Sequence, residues 1–109
     1  MAERYKVPWH VRQFVKRELM DYKANKKMLA KYKDYGEHTR ELVIAVTRLS
    51  QIETVLNRLN KEDREAAEII FFDKYTQVGA EVAKGLSKAA YYNAMNKTIY
   101  LVAKEFELI

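Results

Sequence analysis

An all-α fold is predicted by three observations. The 109 residues include only three glycines and one proline, too few for a chain of hairpins. Lys, Glu, Ala, Leu, Arg and Tyr dominate, most of them good helix formers. Apolar residues recur at spacings of three, four and seven, the period of a helix buried along one side. The length suits one compact domain with a modest core, organised as an N-terminal helical hairpin over 1–59 and a C-terminal helical unit over 60–109. Five helices are expected.

Pro8 suits the first turn of a helix, and nothing breaks helical periodicity from Trp9 to about Lys33. Val11, Phe14, Val15, Leu19, Tyr22, Leu29 and Tyr32 form its apolar stripe, with Arg12, Lys16, Lys23, Lys27 and Lys31 mostly off it. Helix one is therefore long, amphipathic and basic. Gly36 is placed to end it, and Thr39 to cap helix two. From Arg40 to Leu59, Leu42, Leu49 and Leu56 lie seven apart, with Ala45, Ile52 and Leu59 as a second row. Val43, Val46 and Val55 widen that seam, so helix two is expected to bury more than one side, within the chain or across a homodimer.

Asn60 is a good N-cap for helix three, and Glu62, Asp63 and Glu65 follow at the positive end of its dipole. This helix carries Ala66, Ala67, Ile69, Ile70, Phe71 and Phe72 and stops near "YTQVG". Helix four is short, about Val78 to Lys84, and ends at Gly85, where a left-handed backbone costs least. Ser87 caps helix five, which runs from Lys88 to about Glu105.

The net charge of +5 is unevenly spread. Residues 1–35 carry ten Lys or Arg against four acids, whereas 60–77 carry three against five. A basic segment of this kind suits a polyanionic partner, or is simply a solvated helix face. The N-terminal sequence lacks an apolar signal core, and no stretch approaches the roughly 20 apolar residues that cross a bilayer, so a soluble cytoplasmic protein is expected, without a membrane partner. Without cysteine there is no disulfide or thiolate metal site. His10 and His38 are isolated, and no HExxH, GxSxG or phosphate-cradling glycine loop occurs. Neither catalysis, a metal nor a cofactor is expected.

A short helix, a glycine turn and a longer serine-capped helix make the arrangement of a helix-turn-helix. Leu59, the run "EDRE" from Glu62 to Glu65, Ile69, the pair Phe71 and Phe72, then Gly85, Leu86 and Ser87 fall in register with the fourth region of bacterial sigma factors, which the C-terminal half resembles without a gap. From Val11 to Phe106 the chain resembles small phage transcriptional activators of the RinA and ArpU type. The resemblance rests on "VRQFVKRELMDYKANKK", "RLSQIETVLNRLNKEDREAAEIIFF" and "LSKAAYYNAMNKTIYLVAKEF", the last with Ser87, the tyrosine pair and Asn96-Lys97. It implies a DNA-binding regulator of phage or prophage genes, an activator of late genes above all, in a bacterial host. Helix four departs from the family: Ala80, Glu81 and Lys84 stand where such modules carry apolar residue, alanine and leucine. Val78, Val82 and Leu86 still make an i, i+4, i+8 stripe expected to supply the packing. Either this helix is rotated relative to the family, or its boundaries are shifted.

On helix five, Tyr91, Met95, Ile99, Val102 and Phe106 share an apolar face, flanked by Ala94 and Ala103. Tyr92 lies about 100° further round, on the side of Lys88, Asn96 and, less directly, Ala89 and Asn93. In a helix-turn-helix these first turns enter the major groove of double-stranded DNA. Asn93 and Asn96 suit an adenine edge, Lys88 and Lys97 a phosphate or guanine, and small Ala89 a close approach. Lys84, and Thr76 with Gln77 at the entrance to helix four, are placed for phosphate contacts. Helix one would extend the DNA footprint, lie on RNA polymerase, or be a solvated face. The rival function is a protein-interaction module that docks on RNA polymerase or a DNA-packaging complex without its own operator.

Overall fold

The computed structural model describes residues 5–33 and 40–109, leaving out the side chains of Tyr32 and Lys33. Among the described residues the chain is all-helical, with six α-helices and a π turn: α1 (Trp9–Met20), α2 (Tyr22–Lys33), α3 (Arg40–Arg58), α4 (Lys61–Ala67), the π turn Glu68–Phe72, α5 (Gln77–Lys84) and α6 (Lys88–Glu105). The expected stop at Gly36 and cap at Thr39 lie outside the described residues.

The single long helix expected at the N-terminus is two. Pro8 caps α1 from outside, its carbonyl accepting from the Arg12 N–H at 2.9 Å. At Asp21 ψ opens to 0° and the helix is interrupted, although Asp21 N–H still bonds Arg17 O and Asn25 N–H bonds Asp21 O on either side of the break. Val11, Val15, Leu19 and Tyr22 are buried along one side of this interrupted pair.

Four apolar residues in a row, Ile69 to Phe72, cannot all lie on the stripe of a regular helix. The π turn resolves the conflict. Asp73 donates to Glu68 O at 2.8 Å, five residues back, and the widened turn buries Ile70 and Phe71 while Ile69 and Phe72 still lean on the core. Phe72 stacks on Tyr22 with ring centroids 5.2 Å apart. The helix three expected up to "YTQVG" thus ends in a π turn, at Phe72.

The buried side of α6 is the common floor: α1, α3, α4 and α5 all pack on it. Only the C-terminal half of α3 reaches it, burying Ile52, Val55 and Leu56, and Gln51 donates to Glu105 O at 3.1 Å. The N-terminal half of α3 rests on α2. Val43 and Val46, expected to widen the seam, are 54% and 52% exposed, because no second element of the described chain covers their side of α3.

Between α2 and α3, Tyr22 Oη donates to Glu53 Oε1 at 2.6 Å, and Lys26 Nζ lies 2.9 Å from the same oxygen. The bond from Tyr22, then that from Lys26, hold the Glu53 carboxyl below its ordinary range. A carboxylate with a lowered folded value stabilises fully above the unfolded value and loses that contribution as pH falls through the lowered one. Glu53→Gln should therefore lower stability at neutral pH and flatten the loss of stability between about pH 5 and pH 3, read by urea unfolding.

Three helix ends use the left-handed well, at Lys74, Gly85 and Glu107, and the first two make opposite sequence choices. Gly85 has φ +68°, and Leu86 N–H bonds Ala80 O at 3.2 Å while Gly85 N–H bonds Glu81 O. Lys74 has φ +57°, and Tyr75 N–H bonds Ile69 O at 3.1 Å. Space around the missing Gly85 Cβ is open, so only conformational cost acts there. Gly85→Ala should lose about 1 kcal/mol and Lys74→Gly should gain roughly 0.5–1 kcal/mol, both read from denaturation midpoints.

Candidate nucleic-acid interface

Each part of the α5–turn–α6 unit follows from local chemistry. Thr76 caps α5, its hydroxyl accepting from Gly79 N–H at 3.1 Å. The left-handed Gly85 then redirects the chain, and Ser87 Oγ accepts from Ala90 N–H at 3.2 Å to start α6. Leu86 between them is half-buried and leans on the core.

The inner contact of α5 differs from the expected one. Val78 and Val82 are 67% and 82% exposed, whereas Ala80 is fully buried. The helix is turned so that a methyl group faces α6, which permits close approach and leaves the two valines outside. Its start is one residue earlier than expected, at Gln77.

Around α6 the division of the tyrosine pair holds. Tyr91 is buried and Tyr92 is 43% exposed, their rings meeting edge-on with centroids 5.2 Å apart. Tyr91 Oη donates to Tyr75 O at 2.8 Å, tying α6 to the loop before α5. Burial, and then the neighbouring Tyr92, push the Tyr91 phenol above its ordinary value, so it stays a neutral donor. Ala94, Met95, Ile99, Val102 and Ala103 are buried as expected, and Phe106 is half-buried.

The candidate contacts fall into two groups. Lys88, Ala89, Tyr92 and Asn93 are exposed together on the first turns of α6, with Asn96 half-buried one turn on. Lys84, at the end of α5, is exposed with its ammonium 5.6 Å from the Tyr75 ring. The other two are engaged within the chain. Lys97 Nζ lies 2.6 Å from Asp63 Oδ2, and the Gln77 amide donates to Glu81 Oε2 at 3.3 Å. A groove lined by Tyr5, Glu62, Asp63, Asn93 and Lys97 runs along this flank, so one edge of the α6 surface is acidic.

Sequence reasoning did not find Tyr5, whose ring lies 5.4 Å from that of Tyr100. It also did not find the Asp63 partner of Lys97, 34 residues away, for which periodicity gives no signal. Among the described residues no cluster of three or more His, Asp or Glu could hold a metal ion, and no helix is long and apolar enough to cross a membrane. Comparison with protein-family models, with curated proteins and with solved structures finds no match for this chain.

Proposed function

We propose that this protein is a sequence-specific DNA-binding regulator of phage or prophage genes, an activator of late genes above all. In this reading α5 and α6 are a sigma-like helix-turn-helix, with α6 in the major groove. The observation that carries it is the capped start of α6. Its first two turns present Lys88, Ala89, Tyr92 and Asn93 to solvent while Tyr91 and Met95 anchor the same turns in the core. A helix held from behind by packing and capped at its entrance is rigid where base readout needs it to be. The amides of Asn93 and Asn96 each offer a donor and an acceptor, the pair an adenine edge requires. Lys88 and Lys84, which have no carboxylate partner among the described residues, supply phosphate contacts.

A second reading, a module docking on RNA polymerase or a packaging complex, is favoured by the exposed Val78 and Val82, an apolar pair one helical turn apart on the outer side of α5. The two readings separate experimentally. Under the first, Val78→Ser with Val82→Ser leaves DNA affinity unchanged; under the second, it abolishes capture of the polymerase or packaging partner.

The test is selection from a pool of randomised duplexes at moderate salt, followed by shift assays on the enriched sequence. Enrichment of one motif is expected, and an unenriched pool would sink the sequence-specific reading. With the motif in hand, Asn93→Ala and Asn96→Ala should each cut discrimination by about 1–3 kcal/mol at one position. Lys88→Gln should weaken all duplexes alike and lower the salt slope by about 0.9.

A further inference from the structure

The five ion pairs of the described residues engage Lys26, Arg48, Arg58, Arg64 and Lys97. Four cations of α1 and α2 stand apart from these. Arg12, Lys16, Lys23 and Lys27 have no carboxylate partner among the described residues. Arg12 and Lys16 stand one turn apart on α1 and Lys23 and Lys27 one turn apart on α2, and both pairs flank the buried stripe of Val11, Val15, Leu19 and Tyr22, which continues across Asp21. They form one ridge, about 22 Å long at 1.5 Å per residue, without an acid on it. The acids of the same stretch do not offset it: Glu18 reaches Arg48 at 3.4 Å, and Asp21 makes no ion pair with these cations.

The ridge meets α6 at one place and the π turn before α5 at another. The Arg12 guanidinium donates to Met95 Sδ at 3.5 Å, one turn beyond Tyr91 and Tyr92 on α6. Lys23 Nζ lies 5.4 Å from the Phe72 ring, at the exit of the π turn that leads to α5. Cations in line, without ion-pair partners and with one end beside α6, match the evenly charged backbone of a duplex, and the ridge spans roughly six base pairs at 3.4 Å each. We propose that Arg12, Lys16, Lys23 and Lys27 form a second contact surface, one that holds the phosphate backbone of double-stranded DNA beside the groove occupied by α6. It rests on the reading of α6 as the DNA-binding helix. An anionic membrane fits less well, because the apolar face that would enter lipid, with Val11, Val15 and Leu19, is buried in the core.

The test compares two variants that each lose two charges. One is Lys16→Gln with Lys23→Gln; the other is Arg40→Gln with Arg58→Gln, both on α3. Binding of each to a random-sequence duplex of about 30 base pairs is titrated against salt, with circular dichroism as the check on folding. The ridge variant should lose about 1.8 from the slope of log affinity against log salt, near 0.9 for each phosphate contact, and the α3 variant should keep the parent slope. Lys16→Arg with Lys23→Arg should restore it. Equal losses in both variants would reduce the effect to net charge and overturn the ridge. So would an unchanged ridge variant on a parent that binds the duplex, which leaves the α6 reading standing. A parent that does not bind the duplex at low salt would overturn both. Binding to phosphatidylglycerol vesicles that is lost in the ridge variant, with duplex binding kept, would assign the ridge to a membrane instead.

Discussion

One strip of α6, the seven buried residues Tyr91, Ala94, Met95, Thr98, Ile99, Val102 and Ala103, is the surface on which α1, α3, α4 and α5 all close. Fully burying a side chain such as Ile99 or Val102 is worth about 1.5–3 kcal/mol, so this strip is a large share of what holds a domain of this size together. The consequence is that α6 cannot shift its register without loosening four helices at once. Its other side carries none of that burden, and there the exposed Lys88, Ala89, Tyr92 and Asn93 lie.

The π turn has a comparable role in the middle of the chain. A regular helix through Ile69–Phe72 would turn one of these apolar side chains to water; the i→i−5 bond of Asp73 keeps Ile70 and Phe71 inside and brings Phe72 under Tyr22. The same turn sets the direction in which the chain leaves for α5, through the left-handed Lys74 and the Tyr75 carbonyl held by Tyr91. Core packing and the orientation of the candidate interface are therefore one problem with one solution. Tyr22 links both to the hairpin, since its ring meets Phe72 and its hydroxyl meets Glu53.

Much of this was legible in the sequence, and the reasons are specific. Caps are local chemistry, so Asn60, Gly85 and Ser87 mark helix ends in the sequence and in the structure alike. The period of α6 is regular, so Tyr91 inside and Tyr92 outside follow from a single angular step. The failures are tertiary. Val78, Val82 and Leu86 have helical spacing, but which side of a short helix is buried depends on what lies beneath it, and the small Ala80 allowed a closer approach than the valines. Val43 and Val46 have seam spacing, yet they stay more than half exposed, with α2 the main element packed on that half of α3 among the described residues. The π turn has no periodic signature at all, and long-range pairs such as Lys97 with Asp63 are invisible to any local pattern.

The groove beside α6 is electrostatically lopsided. Its lining includes Glu62 and Asp63, and the Lys97 charge that would offset them is already matched by Asp63. On the opposite side Arg12 reaches α6 at Met95. If α6 is the DNA-binding helix, as proposed, a polyanion laid against these first turns would meet the unpaired Glu62 on one edge and the Arg12 guanidinium on the other, and would be drawn toward the second.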